Sequence, residues 1–576
     1  MRYGSLTHHE VDPAFARAAA RPRSAPGETL IVAPRPPRRS IADAYVAKGY
    51  WGTTTFGELL EARAAARPER EVLSDARRRI GSGELWDEVR RCAAVLRRHG
   101  VRRGDVVTIQ MPNRIEFAVV FFALELLGAV GNQVAPDYRS LELESILRFS
   151  GSRAYVCAAR ARGFDHVAMA RELAPRLPEL AAILCVDPVD PQGGARSIAE
   201  ELASARPLPD ADRVRMSADE PMRMCFTSGT TGDPKAVLHS FNSTLCAPRV
   251  LNDELGCTDG EVFLVFLPVA MNWGYLTLLQ AVMSGGRAVL MERFEASAAL
   301  DLVQRERVTF VATAPASIVA MLHSAALPRH DLSSLRRVVS GGSPAPLEAL
   351  EAFRAAVPSA RVVELYGMLE TGFHTFARPG DDPREVLGTV GRCPPMMELR
   401  IVDDDGRDVP PGEEGEIVAR GPSVHLGYLD NDAANRASFL EDGWFRTGDL
   451  GRLSDPDGNL RIVGRKKEVV VRGGKKVFPR EIEELLHRHP KLEAVAVVGI
   501  PDPRLGERTC LCAVARGGAR LALGEFVAFL KGRIADYKLP SLLVVLEEFP
   551  MTPNGKIQRA ELVKQVVGMR AGGVRR

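Results

Sequence analysis

Net charge is nearly absent from this chain. A balance of +3 over 576 residues gives no case for a nucleic-acid partner. Cysteine is sparse, with nine residues and Cys510-x-Cys512 as the only close pair. That spacing suits neither a zinc site nor a disulfide framework, so a reducing, cytoplasmic setting is expected. Long apolar runs are missing too. The longest, residues 117–130, is interrupted by Glu125; it is too short to cross a bilayer and reads as a buried helix. The first forty residues, rich in Arg, Ala and Pro, hold no apolar core of the signal-peptide kind. They read as a mobile extension, and Glu10, Asp12 and Glu28 break the positive charge of a transit peptide. No Gly-x-Ser-x-Gly stretch and no convincing Ser/His/Asp or Cys/His set occurs, which turns attention away from a nucleophilic side chain.

What the sequence does hold is a glycine loop. Thr227-Ser228-Gly229-Thr230-Thr231-Gly232-Asp233-Pro234-Lys235 follows the mostly apolar residues 222–226. Glycine lets backbone N–H groups turn inward without a Cβ in the way. Hydroxyls add donors and the lysine a point charge, which together suit a polyphosphate. The Gly-x-x-Gly-x-x-Lys spacing differs from that of P-loop NTPases. On composition alone a flexible surface turn stays open.

A chain of 576 residues, 45% apolar and 26% charged, exceeds one core, and two or more globular domains are expected. Strand-like runs at 105–111, 154–157, 308–312 and 338–340 alternate with helical patterns such as 115–127. That alternation argues for mostly parallel α/β layers. Beyond Gly388, short runs at 416–419 and 459–463 separated by Asp/Gly turns suit antiparallel β structure. A smaller α/β unit follows, with a helix over 479–487 opened by Pro479, a strand over 494–500 and a helix over 523–534. The expected organisation is an extension over 1–40, a large domain over 41–465, a small mobile α/β domain over 466–566 and a tail over 567–576.

Four further stretches accompany the loop: Tyr366-Gly367-Met368-Leu369-Glu370, Trp444-Phe445-Arg446-Thr447-Gly448-Asp449, Gly464-Arg465-Lys466-Lys467-Glu468 running on to Arg472-Gly473-Gly474, and Pro550-Met551-Thr552-Pro553-Asn554-Gly555-Lys556-Ile557-Gln558-Arg559. In this order and spacing the set resembles the AMP-forming adenylating enzymes: acyl- and aryl-CoA synthetases, adenylation domains of peptide synthetases, and luciferases. The resemblance covers roughly residues 45–566. Tyr138-Arg139-Ser140 with Arg162-Gly163-Phe164-Asp165 most resembles cyclohexanecarboxylate-CoA and related short-chain acyl-CoA ligases. Gly49-Tyr50-Trp51 with Thr55-Phe56 is similar to the opening of aryl-acid adenylating enzymes.

The resemblance implies ATP-dependent activation of a carboxylic acid as an acyl-adenylate, then transfer to the thiol of coenzyme A. Such chemistry needs cations and preorganised donors more than a nucleophile. By the same resemblance Thr227, Ser228, Gly229, Thr230, Thr231, Gly232 and Lys235 hold the β- and γ-phosphates, and Glu370 holds magnesium beside them. Tyr366, with Gly367, lies against the adenine, facing Gly342, Ser343 and Pro344. Asp449 takes the ribose hydroxyls, Arg465 supports ribose or phosphate, and Lys556 bridges the acid's carboxylate to the α-phosphate. Lys467 falls on the pivot between domains, while Gly473 and Gly474 line a pantetheine passage. The acid pocket falls on Ala270, Met271, Asn272 and Trp273 with Gly341.

Two sites depart from the family pattern. Leu369 stands where Thr is usual, and a lost hydrogen bond to a charged group costs about 1.5–3 kcal/mol. Ala270 and Met271 replace an aromatic and a His, so no donor from Met271 meets the carboxylate. Met271 and Trp273 make an adaptable apolar wall suited to a ring or short branched chain. Asn272 either reads an ortho-hydroxyl, as aryl-acid enzymes do, or satisfies a backbone group. Alternatives in function are loading of a carrier-protein phosphopantetheine, or a noncatalytic acyl- or nucleotide-binding role; a luciferase-like oxygenase is a rarer use of the scaffold. No fused carrier domain is expected from the short stretch after Arg559. A monomer or homodimer without a membrane span is expected.

Overall fold

The computed structural model describes residues 34–35, 38–190, 194–227, 235–343, 345–378, 380–382, 386, 388–454, 457–551 and 557–571. Two sheets of mostly parallel strands form the large part. One has seven strands in the order Ala236–Ser240, Pro221–Phe226, Val130–Gln133, Val106–Gln110, Ala154–Cys157, Ala182–Cys185, Ala195–Ser197. The other has eight, in the order Gly372–Phe376, Arg361–Met368, Arg337–Gly341, Phe310–Thr313, Val262–Val265, Arg287–Leu290, Glu71–Ser74, Arg79–Gly81. Antiparallel pairing occurs only at the edges: the strand at 236–240 in the first sheet, 372–376 and 79–81 in the second. The inner strands 106–110, 130–133 and 154–157 are buried along their whole length, as strands covered on both faces must be.

Helices Ser82–Arg98, Ile115–Glu125, Phe241–Glu254 and Asn272–Met283 join residues of both sheets in one core. In the helix Ile115–Glu125 every residue but Glu116 is buried, the pattern of a helix enclosed on all sides. Downstream, an antiparallel sheet of Glu398–Val402, Gly415–Arg420, Phe445–Leu453 and Leu460–Arg465 adjoins the strand Arg361–Met368 through a cluster of Tyr366, Ile401, Ile417 and Leu460. A smaller C-terminal part has its own five-stranded sheet and apolar core, including Val477, Ile482, Val497, Leu511 and Phe526.

Two expectations change in detail. The helix expected over 523–534 ends at Leu530. Gly532 takes φ +79° and Lys531 bridges Ile534, so the chain turns where glycine adopts a left-handed backbone. Within the stretch expected to be a loose extension, Arg35 donates from its backbone to Leu426 O at 2.8 Å and lies 4.9 Å over the Phe439 ring. No described helix is long and apolar enough to cross a membrane.

Glu125 carries a carboxyl into the core, where it accepts the Gly57 N–H at 2.9 Å beneath the start of the helix Phe56–Ala66. Burial pushes its pKa up to about 7, against the opposing bonds from Thr55 and Gly57. A carboxyl raised in the folded state stabilises it below the ordinary pKa and loses that contribution as pH rises from about 4.5 toward 7. Glu125→Gln should therefore flatten the decline in denaturant midpoint between pH 5 and pH 8.5, a difference on the order of 3 kcal/mol. Equal slopes in the two proteins would refute this.

Candidate active site

Strands Pro221–Phe226 and Ala236–Ser240 pair antiparallel, with Phe226 opposite Ala236. Thr227 N–H donates to Lys235 O at 3.0 Å, and Lys235 N–H to Thr227 Oγ1 at 3.4 Å. The glycine loop thus leaves and returns at one point. Ser228, Gly229, Thr230, Thr231 and Gly232, like Pro344 and Lys556, lie outside the described residues.

Lys235 Nζ sits 4.6 Å over the ring of Tyr428, and the Tyr428 hydroxyl donates to Glu370 Oε1 at 3.1 Å. Asn435 fixes Tyr428 by exchanging two 2.8 Å bonds with its backbone. Burial raises the pKa of the Glu370 carboxyl; the Tyr428 hydroxyl and the charge of Lys235 oppose that rise, while Asp449 adds to it. Burial in turn lowers the pKa of Lys235, helped by repulsion from Lys467 and opposed by Glu370. Glu370 therefore lies within electrostatic reach of Lys235 and of Asp449, and Lys235 within reach of Lys467, although they come from distant parts of the chain. Leu369, where a hydroxyl was expected, packs against Val237, Tyr428 and Phe445, and its carbonyl accepts from His239 Nε2 at 2.8 Å.

Asp449 faces Arg465 across adjacent antiparallel strands. Its Oδ1 lies 3.3 Å from Arg465 Nε, and its Oδ2 accepts from the Tyr366 hydroxyl at 2.7 Å. Next to Tyr366, a Cβ on Gly367 would lie 2.2 Å from Gly372 O, so only glycine allows this approach. His374 lies 4.9 Å from the Tyr366 ring, neither of its nitrogens has a described partner, and burial lowers its pKa to about 3. A neutral imidazole offers one donor and one acceptor.

Among the residues expected to border the acid, Trp273 lies over the Gly341-Gly342 turn: a Cβ on Gly341 would be 3.0 Å from the indole. Gly342 has φ +79°, and Ser343 beyond it is exposed. Ala270 points into the main core, and Met271 caps the helix Asn272–Met283 without a side-chain bond. Both reading and packing were open for Asn272. In the structure its Oδ1 accepts from Arg223 Nη2 at 2.5 Å, and its Nδ2 donates to Met368 O at 3.3 Å.

Lys466 reaches back to Asp404 and Glu416 at 2.7 and 3.0 Å. Glu468, two residues on, pairs with Arg559 at 3.1 Å, and Arg559 also grips both Glu483 oxygens. Gly473 and Gly474 turn a hairpin with φ +59° and +78°. Gly473 N–H donates to Leu505 O at 2.8 Å, and the Arg472 guanidinium before it donates to Tyr537 O and Leu539 O, all within the C-terminal part. Among the described residues no group of three or more His, Cys, Asp or Glu converges to hold a metal. A lone buried carboxylate such as Glu370 fits magnesium that takes its other oxygens from phosphate and water.

The described architecture and this cluster define a nucleotide-handling α/β enzyme with a small C-terminal unit. The model of the AMP-binding enzyme family matches residues 60–429, and that of the AMP-binding enzyme C-terminal domain matches 481–556. The chain belongs to the AMP-binding enzymes, AMP-forming ligases that adenylate an acid with ATP. It is 32% identical to a medium-chain fatty-acid–CoA ligase of Escherichia coli, over 91% of this chain and 92% of that protein. It is 35% identical to a salicyl-AMP ligase/salicyl-S-ArCP synthetase of Mycobacterium tuberculosis, over 92% and 94%. Its fold matches an anthranilate CoA ligase in complex with anthranoyl-AMP at TM-score 0.82 and 25% identity, covering 90% and 98% of the two chains.

Sequence reasoning missed Tyr428 and Arg223. The signal for Arg223 was a single charge in the apolar run 222–226; Tyr428 gave none beyond the Gly427 before it. Removing the Tyr428 hydroxyl should raise the Glu370 pKa further, leaving more of the neutral acid at low pH. In Tyr428→Phe, magnesium-ATP affinity by calorimetry should fall about tenfold more at pH 6 than at pH 8, the scale of one lost hydrogen bond to a charged group. An equal fall at both values would contradict this.

Proposed function

We propose that this protein is an acid–thiol ligase that joins a carboxylic acid to AMP and passes the acyl group to coenzyme A. What carries the reading is the meeting of Lys235, Glu370 and Asp449, supplied by three different sheets. In the first step a carboxylate oxygen attacks the α-phosphorus of ATP, the bond to the bridging oxygen breaks, and pyrophosphate leaves. Thr227, Lys235 and the loop between them hold the β- and γ-phosphates, Tyr366 borders the adenine, and Asp449 with Arg465 takes the ribose. Magnesium, when bound, neutralises phosphate charge, with Glu370 as its protein ligand. Lys556 screens the two anions as they approach. In the second step the thiol sulfur attacks the acyl carbon, AMP leaves with the bridging oxygen, and the thiol proton is released.

The two steps need different surroundings, which a pivot at Lys467 between a large domain over 41–465 and a small one over 466–566 would provide. Pairing supports that position: Lys466 is tied to the large part, Glu468 to the C-terminal part. Swinging the small domain would bring Gly473 and Gly474 to the thiol's path. The acid is aryl, alicyclic or of short to medium chain; relatives named for a medium-chain fatty acid and for salicyl-AMP support the medium-chain and aryl members. The 35% identity to a salicyl-S-ArCP synthetase over most of both chains favours a second reading, with a carrier-protein phosphopantetheine as acceptor. Thioester formation with free coenzyme A, against loading of a holo carrier, separates the two.

Lys556→Ala should abolish acid-dependent ATP–pyrophosphate exchange, by at least a hundredfold, yet leave thiolation of a preformed acyl-adenylate largely intact. Equal loss of both steps would remove Lys556 from the proposed role.

A further inference from the structure

Residues 34–52 have no part in the proposed reaction, yet their described members run along the segment that carries Tyr428. At one end, Trp51 Nε1–H donates to Pro422 O at 3.0 Å, and the Gly52 backbone exchanges bonds with the Asn242 side chain. Further back, Arg38 pairs with Asp442 at 2.7 Å. At the other end Arg35 makes three contacts of different kinds. Its backbone N–H donates to Leu426 O at 2.8 Å, its Nη1 donates to Asn435 O at 3.1 Å, and its guanidinium lies 4.9 Å over the Phe439 ring.

Each contact falls on a group that fixes Tyr428. Gly427, beside it, has φ +108°, and a Cβ there would lie 3.1 Å from Asn435 Oδ1 and 3.2 Å from Pro34 Cβ. Three segments thus close on one glycine. Asn435 holds the Tyr428 backbone from both sides, and it stands on the helix Asp432–Ser438, seven residues long. So short a helix has little stability of its own. Asn431 caps its start by accepting the Ala434 N–H at 2.9 Å. Its end closes on a bond from Phe439 N–H to Asn435 O, a long 3.3 Å. Arg35 brings a charged donor to that same carbonyl, where hydrogen bonding and the helix dipole both favour a cation. Phe439, under the guanidinium, packs in the same cluster as Tyr428 and Leu369.

We infer that Arg35 is a positioning residue for magnesium–ATP, a clasp that holds the helix Asp432–Ser438 and, through it, the Tyr428 ring and hydroxyl that set Lys235 and Glu370. The route is short: Arg35 to Asn435, Asn435 to Tyr428, and Tyr428 to Lys235 and Glu370. Tyr366, Asp449 and Arg465, joined to one another, lie off it. The inference rests on the proposal that Lys235 and Glu370 meet the outer phosphates and magnesium.

Calorimetry on the full chain tests it. In Arg35→Ala, magnesium–ATP should bind at least about threefold more weakly, the scale of a cation over an exposed ring with one hydrogen bond. AMP, which lacks the two outer phosphates, should bind as before. Arg35→Lys should keep part of the affinity for magnesium–ATP. Amide hydrogen exchange at residues 426–439 should quicken in Arg35→Ala with no nucleotide present. In a Tyr428→Leu background the effect of Arg35→Ala should fall toward none, because the relay is gone. Unchanged magnesium–ATP affinity in Arg35→Ala overturns the inference alone. So does equal weakening of ATP and AMP, unchanged exchange at 426–439, or a full Arg35 effect surviving in folded Tyr428→Leu. The comparisons of Arg35→Ala and Arg35→Lys decide the matter even if Tyr428→Leu does not fold. A natural chain that binds no magnesium–ATP counts against the reading of Lys235 and Glu370, and the inference falls with it.

Discussion

Charge buried beside charge is the constraint that organises this molecule. Glu370 cannot ionise easily in the interior, yet the Tyr428 hydroxyl and Lys235 draw it toward the charged form. Lys235 is itself held over the Tyr428 ring, so one aromatic residue serves both signs. Groups held in such an interior interact strongly with any charge brought beside them, because little water competes. Donors fixed before the substrate arrives need no reorganisation during the reaction.

That arrangement depends on bringing three sheets to one place. The antiparallel hairpin at 221–240 supplies Lys235, the tight turn between 361–368 and 372–376 supplies Glu370, and the antiparallel sheet after residue 398 supplies Asp449 with Arg465. Gly367 lets two of these strands approach closer than any Cβ would allow. The connection to the C-terminal part is narrow by comparison. Lys466 and Glu468 are pulled toward opposite partners, leaving Lys467 between them and within reach of Lys235.

Much of this was legible in the sequence. Inner parallel strands such as 106–110 and 154–157 are mostly apolar runs, and burial on both faces favours that pattern. The antiparallel texture after Gly388 showed in its Asp/Gly turns. Periodicity carried the helix at 523 too far, because apolar spacing does not register the left-handed turn at Gly532. Local signals also failed for side chains whose meaning is purely tertiary. Arg223 looks like an interruption of a strand until Asn272 and Tyr275 are seen against it, and Tyr428 matters only because Glu370 folds onto it. For Asn272 the structure shows the backbone reading, since its amide donates to the Met368 carbonyl and accepts from Arg223. Residues of the glycine loop and Lys556 lie outside the described structure, so their assignment rests on sequence.

Oxygen bookkeeping tests the central claim most directly. An acid labelled with oxygen-18 in its carboxyl group should, in each turnover with coenzyme A, deliver one labelled oxygen to AMP, because the anhydride oxygen comes from the acid and leaves with the nucleotide. Thioester formed with unlabelled AMP, or with label in pyrophosphate, would contradict activation through an acyl-adenylate.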